Sequence, residues 1–147
     1  MDSQTLKLFN ELNRAMIKCR GAYSEWSKKH NISYNEMLVL YTLREFGFCT
    51  QKQICDSYMI PRQTINHTIS LMRSNELLEL SSDYSRGREK AFVLTEKGKL
   101  YAEPLLNSLN KLEEKTVESI SENKISTMTK LVLEFDNALG LSLNEEV

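Results

Sequence analysis

The chain has 147 residues, 41% of them hydrophobic, with 19 Lys and Arg against 20 Asp and Glu for a net charge of −1. That size and apolar content suit one globular domain and exclude a disordered chain, while the near-neutral balance excludes binding to nucleic acid by bulk charge alone. The longest apolar run, Met37 to Tyr41, is far too short to span a bilayer, and the opening MDSQTLKLFNELNR lacks a charged-then-apolar leader, so a cytoplasmic protein is expected.

In chain order, residues 1–30 read as an N-terminal helix. Leu6, Phe9, Met16, Tyr23 and Trp26 fall near one side of it, and Gly21 is expected to interrupt it. Ile32-Ser33-Tyr34-Asn35-Glu36-Met37 is a helix start. Ser33 and Glu36 have capping-box spacing, and Ile32 with Met37 fits a hydrophobic staple. Met37, Leu38, Leu40, Tyr41 and Leu43 then form the buried side of a second helix.

From Thr50 to Gly98 the pattern is denser. Thr50 with Gln53 fits a second capping box, and Ile54 is the apolar contact of a short helix. Ser57 to Ile60 make a turn, and Pro61 suits the first position of the next helix, where its missing N–H costs nothing. Ile65, Ile69 and Met72 recur four and three apart and share one buried stripe. The opposite face carries Arg62, Gln63, Asn66, His67, Ser70 and Arg73, with no acid between Pro61 and Asn75. Such a face can meet phosphates and base edges. Two strand-length apolar runs follow, Leu77 to Leu80 and Ala91 to Leu94. Between them Gly87 can supply a positive φ, and Arg86, Arg88 and Lys90 place cations around one turn, against Asp83 and Glu89. Thr95 caps the next helix, with Glu96 in its first turn. This order is a helix-turn-helix followed by a β-wing, a mainly α fold with a small β element.

After Thr95 a long helix runs past Leu105, Leu109 and Leu112, and Pro104 is expected to kink it. Ser121 caps a last helix in which Ile125, Met128, Val132, Phe135 and Leu139 alternate three and four apart as a heptad seam. A lone winged core needs about half of such a chain, so the terminal helices keep apolar faces that are best buried against a second copy. A seam packed only within one chain is the alternative.

These residues resemble the MarR family of winged-helix transcriptional regulators over roughly Leu6 to Leu139. The resemblance rests most on Pro61-Arg62-Gln63-Thr64-Ile65-Asn66 at the recognition-helix position. It rests equally on Arg88 through Leu94-Thr95-Glu96-Lys97-Gly98, which is similar to the family's wing arginine and Leu-Thr-x-x-Gly helix start. Two departures stand out. The family's Asp two residues before that arginine, which pairs with it, is here Arg86. Glu76 stands where the family tends to have Gly before the first wing strand, so Asn75 is expected to end the helix in a left-handed conformation. The resemblance implies a winged helix-turn-helix lobe over residues 32–98 within a single domain. It also implies dimerisation helices over 1–30 and 99–147, and a homodimer that sets two recognition helices about one DNA turn apart on a near-palindrome.

On that reading the chain is a DNA-binding regulator, expected to be a repressor. Gln63, Thr64, Asn66 and His67 would face base edges, and Arg62 and Arg73 phosphates. Arg88, helped by Arg86 and Lys90, would enter the minor groove or grip its backbone. Thr50 and Gln51, at a helix start, would offer N–H groups to a phosphate. His67 fits a solvent-facing residue as well as a contact. The basic signal is local. Residues 50–98 hold seven Lys and Arg against six Asp and Glu, and the rest hold twelve against fourteen.

The resemblance further implies a small phenolic or other aromatic effector bound between the dimer helices and the DNA-binding lobe. Tyr23, Trp26, Tyr34, Met37 and Tyr41 are the candidates, and they fit an ordinary core equally well. Cys19, Cys49 and Cys55 are odd in number and loosely spaced, which does not read as a disulfide framework. Cys19, between Lys18 and Arg20, is the one candidate for a thiol sensor, against the reading that all three are structural. His30 and His67 are far apart, so no metal is expected. Nor is a cofactor or an enzymatic activity, since no phosphate loop or nucleophile motif occurs. The rival from another class is a winged-helix adaptor that meets a protein with its polar helix.

Overall fold

The computed structural model describes residues 1–146. Six helices and three strands follow one another: α1 (Ser3–Lys29), α2 (Tyr34–Phe46), β1 (Cys49–Thr50), α3 (Gln51–Tyr58), α4 (Arg62–Ser74), β2 (Leu78–Arg86), β3 (Glu89–Leu94), α5 (Glu96–Ile120) and α6 (Glu122–Glu145). The strands form one antiparallel sheet in the order β1-β3-β2. Two compact units divide within α5, one of residues 1–106 and one beginning at Asn107.

Helix α1 runs unbroken through Gly21, contrary to the expected interruption. A single interior Gly costs only about 1 kcal/mol, which a 27-residue helix absorbs. Asp2 caps it by accepting the Thr5 N–H at 2.8 Å, which lowers the carboxyl pKa. Of its apolar side only Trp26 is buried, while Leu6 and Phe9 stay exposed.

The core of the first unit is built around α2. Met37, Leu38, Val39, Leu40, Thr42 and Leu43 are all buried there. Ser33 caps α2 by accepting the Glu36 N–H at 3.0 Å, and the Glu36 carboxylate accepts the Tyr101 hydroxyl at 2.6 Å. Thr50 forms both halves of its capping box, accepting from Gln53 N–H at 3.0 Å and donating its own N–H to Gln53 Oε1 at 3.2 Å. Ile54, Ile65, Ile69 and Met72 project inward from α3 and α4, with Leu77, Leu78, Ala91 and Phe92 completing the core from the sheet side.

Pro61 lies one residue outside α4 rather than at its first position. Its carbonyl accepts from the Thr64 and Ile65 N–H groups, so a residue without a donor still serves as the cap. The far end of α4 departs from expectation by one residue too. Asn75 keeps φ −85°, and Glu76 takes the left-handed conformation at φ +61°. The hydrogen bonds explain this. Leu77 N–H donates to the Met72 carbonyl and Glu76 N–H to the Arg73 carbonyl, both at 2.9 Å. That pair is a Schellman motif, which places the left-handed residue just after the cap and buries the residue beyond it. Leu77 and Met72 are both buried.

The start of α5 locks onto this corner. Thr95 donates its N–H to the Leu77 carbonyl at 3.1 Å and its hydroxyl to the Glu76 carbonyl at 2.6 Å, while accepting from Gly98 N–H at 2.9 Å. A Cβ on Gly98 would stand 2.0 Å from the Leu77 oxygen, so the motif Leu-Thr-x-x-Gly is a steric requirement at its last position. The strands are longer than the apolar runs predicted, reaching Arg86 and starting at Glu89, and β1 was not anticipated.

Helix α5 runs from Glu96 to Ile120 with Pro104 inside it, and its part from Asn107 onward belongs to the second unit. Ser121, at φ +79°, caps α6 by accepting the Lys124 N–H. No residue of α6 is buried. On the seam Met128, Val132 and Leu139 are 48%, 44% and 49% exposed, while Ile125 and Phe135 are half-buried. Among the described residues no helix is long and apolar enough to cross a membrane.

The α4–β2–α5 corner yields two stability changes of opposite sign. Gly98→Ala should cost about 2–3 kcal/mol or more, because the added methyl meets backbone that cannot yield. Glu76→Gly should gain up to about 1 kcal/mol by relieving the left-handed residue. The exposed Glu76–Lys97 pair at 3.4 Å adds too little to reverse that. Urea denaturation of the two variants beside wild type measures both. A neutral Gly98→Ala change would refute the steric account.

Candidate nucleic-acid interface

Helix α4 turns its buried line of Ile65, Thr68, Ile69 and Met72 to the core. At 100° per residue, Gln63, His67 and Ser70 then lie opposite the core, and all three are exposed. Thr64 sits on one flank, half-buried. Its backbone carbonyl accepts the Thr68 hydroxyl at 3.1 Å.

The other flank carries Arg62, Asn66 and Arg73, and it is tied down. Gln51 Nε2 donates to Asn66 Oδ1 at 2.6 Å, and Arg62 Nε donates to Gln51 Oε1 at 3.5 Å. Gln51 thus bridges α3 to α4 and presets two side chains. The Arg73 guanidinium lies 5.3 Å from the Phe92 ring centroid, a cation–π contact that fastens the end of α4 to β3. Phe92 was missed as a positioning residue because its partner lies nineteen residues earlier, outside any local pattern.

The wing hairpin closes at Arg86 and Glu89, with Gly87 at φ +55° as expected. Its ladder is irregular between Ser81 and Arg86, so residues 82–85 of β2 bulge opposite Lys90. Within the bulge Tyr84 stacks on Phe48 with centroids 4.4 Å apart. Ser85 Oγ donates to the Ser81 carbonyl and accepts from Ala91 N–H. Arg86 folds back on the wing, donating to the Asp83 and Ser85 carbonyls at 2.7 and 2.9 Å. Arg88 and Lys90 remain exposed. With Gln51, Arg62, Glu89 and Phe92 they line a cleft of about 90 Å³. Cations of α4 and of the wing therefore share one surface.

At the start of α3 the Thr50 and Lys52 donors are engaged. Thr50 N–H is used in the capping box, and Lys52 N–H donates to Glu89 Oε1 at 3.1 Å. Glu89 is a second residue that sequence reading left without a role.

The aromatic residues named as effector candidates are packed together with neighbours. Trp26 and Met37 are buried. Tyr23 meets Tyr41 edge-on at 6.4 Å, and Arg20 and Arg44 lie over the Tyr34 and Tyr41 rings. Cys49 is buried and its thiol is pushed up to about 12 by desolvation. Burial also raises the Cys55 thiol, with Arg62 opposing. Cys19 is exposed, and all three are free thiols. Among the described residues no group of His, Cys, Asp or Glu is arranged to hold a metal ion.

No protein-family profile matches the chain. It is 30% identical over 82 residues to the uncharacterized HTH-type transcriptional regulator YxaD of Bacillus subtilis (strain 168), a match spanning 54% of this chain and 57% of that one. The chain thus spans little more than half the length of that curated relative. The structure of NMB1585, a MarR family regulator from Neisseria meningitidis, superposes with a TM-score of 0.84 at 24% identity, over 96% of this chain and 99% of that one. The fold is that of the MarR family. The Bordetella bronchiseptica regulator BpsR, whose DNA binding is regulated by 6-hydroxynicotinic acid, aligns with a TM-score of 0.65 at 18% identity, over 88% of this chain and 98% of that one. In this MarR fold α3 and α4 are the helix-turn-helix pair and β2–β3 the wing.

The thiols offer a direct check on the described geometry. At pH 8 iodoacetamide should label Cys19 rapidly, Cys55 more slowly, and Cys49 only after unfolding, as mass spectrometry of timed samples would read. Rapid native labelling of Cys49 would contradict its burial.

Proposed function

We propose that this chain is a MarR-type transcriptional regulator that binds double-stranded DNA as a homodimer in the cytoplasm, represses transcription, and is released by a small aromatic effector. The observation that carries the DNA reading is the shared surface of Arg62 on α4 with Arg88 and Lys90 on the wing. Beside it lies the acid-free outward face of Gln63, His67 and Ser70. In this reading α4 enters a major groove, where Gln63, Asn66 and His67 meet base edges, and Thr64 at its flank makes a lesser contact. Asn66 arrives with its oxygen held by Gln51, which leaves its amide N–H groups as donors for a base edge. Arg62 and Arg73 bond phosphates, and Arg88 with Lys90 reaches the minor groove or its backbone. Arg86 steadies the wing more than it touches DNA.

Binding should weaken steeply with salt, since each neutralised phosphate releases a counterion. Arg88→Ala should weaken operator and random duplex alike and lower the salt slope by about one per protomer. Gln63→Ala should instead relax preference at one base pair per half-site, at a cost of about 1–3 kcal/mol. Fluorescence anisotropy across a salt series, with an operator selected from random oligonucleotides, measures these effects. Wild-type protein that binds no duplex at low salt would leave the adaptor reading in its place.

The dimer rests on the exposed seam of α6 and the exposed Leu6 and Phe9 of α1. Burying a charge there is costly, so Val132→Glu should shift the protein toward monomer and weaken operator binding. Size-exclusion chromatography with light scattering tests this. A wild-type monomer at every concentration would refute the dimer. Effector release is supported by the Bordetella regulator, and Tyr23, Trp26, Tyr34, Met37 and Tyr41 remain its candidate lining.

A further inference from the structure

We propose that Glu89 is the positioning residue of the wing, tying its tip to the first turn of α3 and so setting where Arg88 stands. The proposal rests on the DNA-binding reading above. Three observations carry it. First, the Glu89 carboxylate accepts the Lys52 N–H at 3.1 Å, joining residues 37 apart in the chain. A carboxylate on the N–H groups of a helix start gains from a charge-assisted hydrogen bond and from the helix dipole. Second, the backbone ladder of the hairpin is interrupted below its tip. Residues 82–85 bulge out of the ladder, and regular pairing resumes only at Arg86 and Glu89. Third, Arg86 does not orient Arg88. Its guanidinium is spent on the Asp83 and Ser85 carbonyls.

Glu89 is next to Arg88 in sequence, half-buried, and part of the same cleft with Gln51, Arg62 and Lys90. Fixing Glu89 therefore fixes the peptide that carries the wing arginine. Two effects oppose each other here. A carboxylate among cations repels the phosphate backbone, whereas a held tip avoids the ordering cost of binding. The direct bond to the α3 backbone favours the second effect.

The test uses full-length protein with Glu89→Ala and Glu89→Gln. Hydrogen exchange of the Lys52 amide and the 82–90 segment is read without DNA, and affinity for selected operator is read by anisotropy. Glu89→Ala should speed Lys52 exchange about tenfold and weaken operator binding about fivefold, despite removing a negative charge. Glu89→Gln keeps an acceptor oxygen at the same reach and should restore both readouts to near wild type or better. The proposal is overturned if Glu89→Ala leaves Lys52 exchange unchanged, if it binds operator as tightly as wild type, or if Gln fails to rescue. Wild-type protein that binds no duplex refutes the DNA-binding reading, while the exchange comparison still decides the tie.

Discussion

The Leu77 carbonyl is the joint on which the winged lobe turns. It accepts the Thr95 N–H and lies where any side chain at position 98 would have to stand. Around it α4 ends, β2 begins and α5 begins within a few ångströms. The Schellman turn fixes the exit angle of α4, and the Thr95 hydroxyl clamps the carbonyl of the strained residue. Because β2 leaves from this joint, the wing inherits its direction from it. Placing a reading helix and a hairpin on one surface is first a problem of backbone packing, and only then one of charge.

Polar side chains refine what the backbone sets. The Gln51 bridge costs the interface some freedom, since Asn66 and Arg62 are drawn toward α3. In return, fewer rotamers remain to be frozen on binding. Arg73 shows the same exchange, its guanidinium held over Phe92. Rim residues on the outer line, Gln63, His67 and Ser70, keep their freedom. The site therefore divides into a preset flank beside the wing and an adaptable ridge opposite the core. A near-neutral chain can work this way because placement, rather than total charge, concentrates its cations.

How much of this was legible in the sequence follows from the range of each interaction. Periodicity found the core line of α4, and capping signals found Ser33, Thr50 and Ser121, because those depend on neighbours within four residues. Pro61 and Asn75 were each misplaced by one position. Their residue types announce a helix end, but hydrogen bonds decide which residue takes the turn. Glu76 accepted the left-handed position against its own preference because the Schellman bonds and Thr95 hold it there. The bridge from Gln51 to Asn66 and the tie from Glu89 to Lys52 were invisible, since only the fold brings those residues together. Strand β1 is two residues long and carries no pattern of its own. Gly21 misled because a glycine signal says what a backbone is permitted to do, not what it does.

Helix α6 raises a different question, that of what stabilises it. It has 24 residues and none is fully buried, with Ile125 and Phe135 half-buried. Isolated helices of such length are marginal in water, and most helical stability in proteins comes from packing an apolar face. Its mean composition is also wrong for a solvated helix, with Leu131, Leu133, Leu141 and Leu143 exposed beyond the seam itself. Large exposed apolar surfaces of this kind mark interaction sites. In the proposed homodimer, a second copy covers this face by symmetry. If that dimer forms, folding of the terminal helix and assembly become one equilibrium, and stability depends on protein concentration. A ligand that favoured one arrangement of such a pair would act on that same equilibrium.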